Sequence, residues 1–217
     1  MPGERSWVLS ALRLALLAAV LAALIFTRWD LAFVSLATLG LSFVPVVIAN
    51  RFHINLPIPF LVFTTLFLMG SIFMGEAFNF YERLWWWDIA LHGLSAISFG
   101  LIGFLFVFTL FEGDRYAAPA LAIAVLSFTC AVTIGTLWEV FEFAMDKVFG
   151  LNMQKSGLDD TMLDLIVDAI GAFVGATFGW LYLQGRTRNW ATGLIAEFVA
   201  RNRHLYRKAR RSRSKSD

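Results

Sequence analysis

Three aspartates, Asp160, Asp164 and Asp168, recur at every fourth position of one apolar stretch. On a helix they stand one above another on a single face, and Gly171, Gly175 and Gly179 continue the same stripe. Two other stretches carry polar pairs at helical spacing. Asp88 and His92 are an i, i+4 pair, and Glu139 and Glu142 an i, i+3 pair that Asp146 extends by one more turn. One imidazole among several carboxylates is a hard, oxygen-rich ligand set, suited to Mg²⁺, Mn²⁺, Ca²⁺ or an iron centre. Zinc is less favoured, since the chain lacks both the HExxH pattern and the Glu-x-x-His pairs of di-iron bundles.

Each of these residues also has an ordinary structural reading. Asp88, Asp160 and Thr161 can cap helix starts, and Thr161 with Asp164 fits a variant of the capping box. A lone buried histidine is usually satisfied within its own core, and the glycine stripe is a packing device that lets a neighbouring helix approach closely. Glu139, Glu142 and Asp168 resist such readings because they lie too far along their helices to cap them. An ionised side chain at bilayer depth costs about 2.5–3.5 kcal/mol even on the lenient insertion scale. These acids therefore call for a cation, for protons or for water.

The elements that must position them are membrane spans. The 217 residues are 59% hydrophobic, with a mean hydropathy of +0.68, which excludes a soluble domain with a polar surface to cover. Apolar runs predict spans over residues 7–26, 31–49, 58–78, 88–111, 117–146 and 161–184, with Pro45 kinking the second. Arg13 interrupts the first run and is expected to snorkel towards the interface. Tyr81 to Trp87 reads as an interfacial aromatic belt, and residues 190–199 as a helix too short to cross. The expected fold is an all-α integral membrane protein, a six-transmembrane-helix bundle with both termini cytoplasmic. Its transmembrane domain covers residues 1–185, and residues 186–217 form an interfacial segment and basic tail. Cys130 has no internal partner and reads as a small core residue.

Charge is segregated along the chain. Residues 76–168 hold twelve acids against four bases, whereas ten of the eighteen Lys and Arg residues lie between Arg186 and Lys215. By the positive-inside rule the basic tail stays in the cytoplasm, as expected of a multi-pass protein of the bacterial inner membrane. The tail's partners are then anionic lipids; no nucleic-acid motif accompanies it. With six spans, the start of the fourth, the end of the fifth and the start of the sixth share the outer leaflet. At 1.5 Å per residue, His92, Glu139, Glu142, Asp164 and Asp168 fall roughly 6–12 Å below that boundary.

Asp88-x-x-x-His92-Gly93, Glu139-x-x-Glu142 and Asp160-Thr161-x-x-Asp164, followed by Gly171-Ala172, together resemble the YjdF-like family of bacterial inner-membrane proteins. More distantly they resemble the VanZ-like proteins. The resemblance covers about residues 80–180 and implies a multi-span membrane protein with polar intramembrane motifs; it supplies no reaction. Met162 stands where the YjdF-like pattern commonly has Gln, and Asp168 where that pattern is apolar.

The leading functional expectation is a metal-dependent enzyme acting on a lipid or lipid-linked substrate. His92, Glu142, Asp164 and Asp168, with Asp88 and Asp160 above them, would hold a divalent cation, while Glu139 with His92 would do the acid–base chemistry. A proton or divalent-cation carrier using the same acids is the first alternative, and a non-catalytic scaffold with a structural ion the second.

Overall fold

The computed structural model describes residues 6–111, 118–186 and 190–206. Among the described residues every regular element is helical, and six helical stretches are long and apolar enough to cross a membrane. They run over Trp7–Ile25, Trp29–Arg51, Ile58–Ala77, Trp87–Leu110, Ala120–Phe149 and Leu158–Leu183, within a few residues of the sequence expectation. The 112–116 turn and the tail from residue 207 lie outside the described residues.

Residues up to Trp87 form one compact unit and those from Asp88 onward another. In the first unit α1 (Trp7–Ile25) starts behind Ser6, whose Oγ accepts the Leu9 N–H at 3.3 Å and satisfies a donor that the helix start leaves open. The second span is two helices, α2 (Trp29–Leu41) and α3 (Val44–Arg51). Pro45 lacks an N–H and its ring crowds the carbonyl four residues back, so the helix breaks at Ser42 and Phe43. Arg13 of α1 answers the break: Nη2 donates to the Ser42 carbonyl at 2.7 Å, Nε donates to Ser42 Oγ at 3.2 Å, and the guanidinium lies 4.0 Å over the Phe43 ring. The expected snorkelling of Arg13 is therefore replaced by a fixed partner inside the apolar layer.

The third span is also irregular. After α4 (Ile58–Leu68) the turn widens to a π-helix over Met69–Met74 before α5 (Gly75–Ala77), and Trp87 Nε1 donates to the Gly70 carbonyl within it at 3.3 Å. The short α6 (Phe80–Arg83) follows, and Phe80 meets Trp87 edge to face at 4.9 Å. Trp85 is among the most exposed side chains, as an interfacial belt requires.

The second unit is built on α7 (Trp87–Leu110), α8 (Ala120–Phe149) and α9 (Leu158–Leu183), with α10 (Trp190–Arg201) against them. The glycine stripe of α9 meets α7 backbone to backbone. A Cβ at Gly100 would stand 2.8 Å from Gly175 Cα, and one at Gly171 would stand 2.7 Å from Ala96 Cβ. On the other side of α7, a Cβ at Gly103 would stand 2.9 Å from the Ser127 carbonyl oxygen of α8. Below this seam lies the apolar core of Phe104, Val107, Phe108, Ile123 and Tyr182, to which α10 adds Ile195. Cys130 packs against that core, as expected.

Gly175→Leu should cost about 1–3 kcal/mol by forcing α7 and α9 apart. Gly40→Ala, with nothing within 4 Å of the added methyl, should be neutral or stabilise by about 0.5–1 kcal/mol. Thermal unfolding in detergent compares the two.

Candidate functional site

The three helices of the second unit bring their polar residues to one place. α7 supplies Asp88 and His92, α8 supplies Glu139, and α9 supplies Asp164 and Asp168. His92 is the hub. Its Nδ1 is 3.3 Å from Asp168 Oδ1, and its Nε2 is 3.9 Å from both Asp88 Oδ1 and Glu139 Oε1. One ligand atom each from Asp88, His92 and Asp164 lies within 4.8 Å of the other two. The sequence spacing explains the meeting, because the glycine seam holds α7 and α9 at close range one and two turns below these residues.

His92 Nδ1 lies within hydrogen-bond distance of Asp168 Oδ1, so an Nδ1–H can donate to that carboxyl group. Nε2, the other ring nitrogen, faces Asp88 and Glu139. A carboxylate behind one ring nitrogen with the other presented forward is the usual outer-shell arrangement of a metal-binding histidine. Asp168 thus stands behind His92 and orients it, a more specific position than the direct ligand expected from the sequence.

Burial is severe. His92, Glu139, Asp164 and Asp168 are all buried, Asp164 to 2% exposure, while the Asp88 side chain is 31% exposed. Both oxygens of Glu139, Oδ2 of Asp164 and Oδ2 of Asp168 have no hydrogen-bond partner. The Thr161 hydroxyl stands within reach of the Glu139 carboxyl group. Each such group costs about 1–3 kcal/mol when neutral and more when charged.

Glu142 and Asp160, read from the sequence as direct ligands, point elsewhere. Glu142 is half-buried and accepts from Trp138 Nε1 at 2.9 Å, one turn back on its own helix. Asp160 Oδ2 accepts the Lys155 N–H at 2.9 Å and fastens the loop instead. Both stay within electrostatic range of the cluster.

Two contributions were not foreseen. Gly135 of α8 clears the space that the Asp168 carboxylate fills: a Cβ there would run into Oδ2 and lie 2.9 Å from Cγ. The signal was a glycine one turn before Glu139 on the same face, legible only with knowledge of the facing helix. Asp146, one turn beyond Glu142, accepts the N–H groups of Met153 at 2.7 Å and Gln154 at 3.0 Å. Gln154 Nε2 in turn donates to Thr161 Oγ1. The loop over the site is therefore tied to both helices it joins.

Residues 8–185 match a family model described as a predicted membrane protein, DUF2238. The chain belongs to the DUF2238 family. A relative in Thermotoga maritima, called an uncharacterized protein, is 35% identical over 127 residues, which are 57% of this chain and 65% of the relative. The DUF2238 chain thus matches less than two thirds of that relative's length. No solved structure matches it. The more distant VanZ-like resemblance gains no support from these matches.

Gly135→Ala should displace the Asp168 carboxylate and release His92 from its tautomer, and Asp168→Ala should do the same directly. In ¹⁵N-labelled protein both variants should lose the protonated Nδ1 signal of His92, while Gly40→Ala keeps it.

Proposed function

We propose that this DUF2238 protein is a metal-dependent enzyme of the bacterial inner membrane, acting on a lipid or lipid-linked substrate near the outer boundary of the bilayer. The observation that carries the reading is the convergence of Asp88, His92 and Asp164, whose ligand atoms lie within 4.8 Å of one another beside the buried, unbonded carboxylate of Glu139. Nitrogen and carboxylate oxygens in this ratio suit Mg²⁺, Mn²⁺, Ca²⁺ or Fe²⁺ better than Zn²⁺. Family membership agrees with a YjdF-like assignment and leaves the reaction to be argued from the site.

In this reading Asp88, His92 and Asp164 hold the cation, and Asp168 keeps His92 facing it through Nδ1. When bound, the cation would supply Lewis acidity towards a phosphoryl or carbonyl oxygen and make a nearby water more acidic. Glu139, buried with both oxygens free, takes the proton. Asp88, partly exposed, is where a headgroup can reach the centre.

Transport of the cation is favoured less, because α7 and α9 meet backbone to backbone at Gly100 and Gly175 beneath the site. A carrier must open both sides in turn.

Protein purified without chelator should retain at least one equivalent of divalent metal by elemental analysis. His92→Ala and Asp164→Asn should each weaken its retention tenfold or more, and Asp168→Asn should weaken it about 10–100-fold through His92. A wild-type protein that binds no divalent ion when Mg²⁺, Mn²⁺ and Ca²⁺ are offered in turn would sink the proposal.

A further inference from the structure

Arg13 carries a charge that no described residue neutralises. A guanidinium stays protonated in any protein setting, so it cannot escape the cost of bilayer depth by giving up a proton. The hydroxyl and carbonyl of Ser42 aim it but bring no negative charge. Among the described residues of the first unit the acids are Asp30, Glu76 and Glu82. Asp30 pairs with Arg28 at 3.4 Å, and Glu76 and Glu82 stand at and beyond the far end of the third span. The counter-charge must come from outside the chain.

The guanidinium is presented in one fixed way. Its five N–H donors lie in a plane and form two forks. Ser42 takes the Nε–Nη2 edge, with Oγ accepting from Nε at 3.2 Å and the carbonyl accepting from Nη2 at 2.7 Å, while the Phe43 ring lies 4.0 Å from the guanidinium carbon. This leaves the Nη1–Nη2 edge, whose two parallel N–H groups match two oxygens of one phosphate. The side chain is half-buried, so a ligand from outside has access to it.

Depth selects among anions. Arg13 lies six residues beyond Trp7, about 9 Å along α1, and Ser42 nine residues before Arg51, about 13–14 Å along the second span. Both distances run from the leaflet that the amino-terminal end of α1 faces. A free anion would have to leave water for hydrocarbon to arrive there, whereas a lipid phosphate of the same leaflet needs only the local thinning that membrane arginines induce.

We infer that Arg13, Ser42 and Phe43 form a seat for the phosphate of an anionic phospholipid, which the Nη1–Nη2 edge grips in bidentate fashion. The break before Pro45 serves this seat, because it turns the Ser42 carbonyl and hydroxyl together towards the arginine. All three residues belong to the first unit, and the seat needs no metal.

Native mass spectrometry of the detergent-purified full chain, offered dioleoylphosphatidylglycerol, dioleoylglycerol or inorganic phosphate in turn, separates the outcomes. Wild type should retain one phosphatidylglycerol about tenfold or more tightly than Arg13→Gln. Arg13→Lys, which keeps the charge but not the fork, should fall between them, and Ser42→Ala, which leaves the charge but loosens its aim, should weaken retention several-fold. Dioleoylglycerol, with the same chains and no phosphate, should bind wild type and Arg13→Gln alike. Equal retention of phosphatidylglycerol by wild type and Arg13→Gln overturns the seat. If Arg13→Gln does not fold, Arg13→Lys and Ser42→Ala decide, and retention by both equal to wild type overturns it as well. Inorganic phosphate that displaces phosphatidylglycerol at a similar concentration assigns Arg13 to a free anion and overturns the lipid.

Discussion

Burial of several carboxyl groups around a single imidazole is the constraint to which the second unit answers. Carboxyl groups taken out of water lose its hydrogen bonds, and the apolar side chains around them offer none in return. Their positions must therefore be imposed by packing. The seam of Gly171 and Gly175 against Gly93, Ala96 and Gly100 imposes them by bringing two backbones together where ordinary side chains would hold them apart. Gly135 does the same for a single side chain, opening on α8 the recess that Asp168 fills from α9.

Much of this was legible in the chain. The spans, the acid stripe of α9 and the glycines below it follow from periodicity alone, because a helix maps every fourth residue to one line. Asp88, His92, Glu139, Asp164 and Asp168 were all readable as one group, since their distances from the span ends match. What periodicity cannot give is rotation of one helix about its axis relative to another. Glu142 and Glu139 are three residues apart, yet one is sealed beside His92 and the other turns to Trp138 at the half-exposed flank. Asp168 shows the same limit, as its order along the helix says nothing of whether it faces a ligand space or the back of a histidine.

The loop between α8 and α9 was illegible for a different reason. Asp146, Gln154, Lys155, Asp160 and Thr161 form their bonds only when the chain reverses at Gly150, whose φ of +67° suits a residue without a Cβ. Polar residues in a loop read as solvated, and their use as ties is a tertiary fact. The result is a roof whose ends are held by side chains of the helices that carry the site.

The irregular second span has a bearing on how the polypeptide is made. Arg13 is spared the cost of lone burial only when the carbonyl of Ser42, some thirty positions later in the chain, is there to receive it. A first segment released by the translocon before its successor emerged would carry an unpartnered cation into lipid. The two are accordingly suited to leave the insertion machinery together as a helical hairpin, with the kink in one serving as the receptor for the charge in the other.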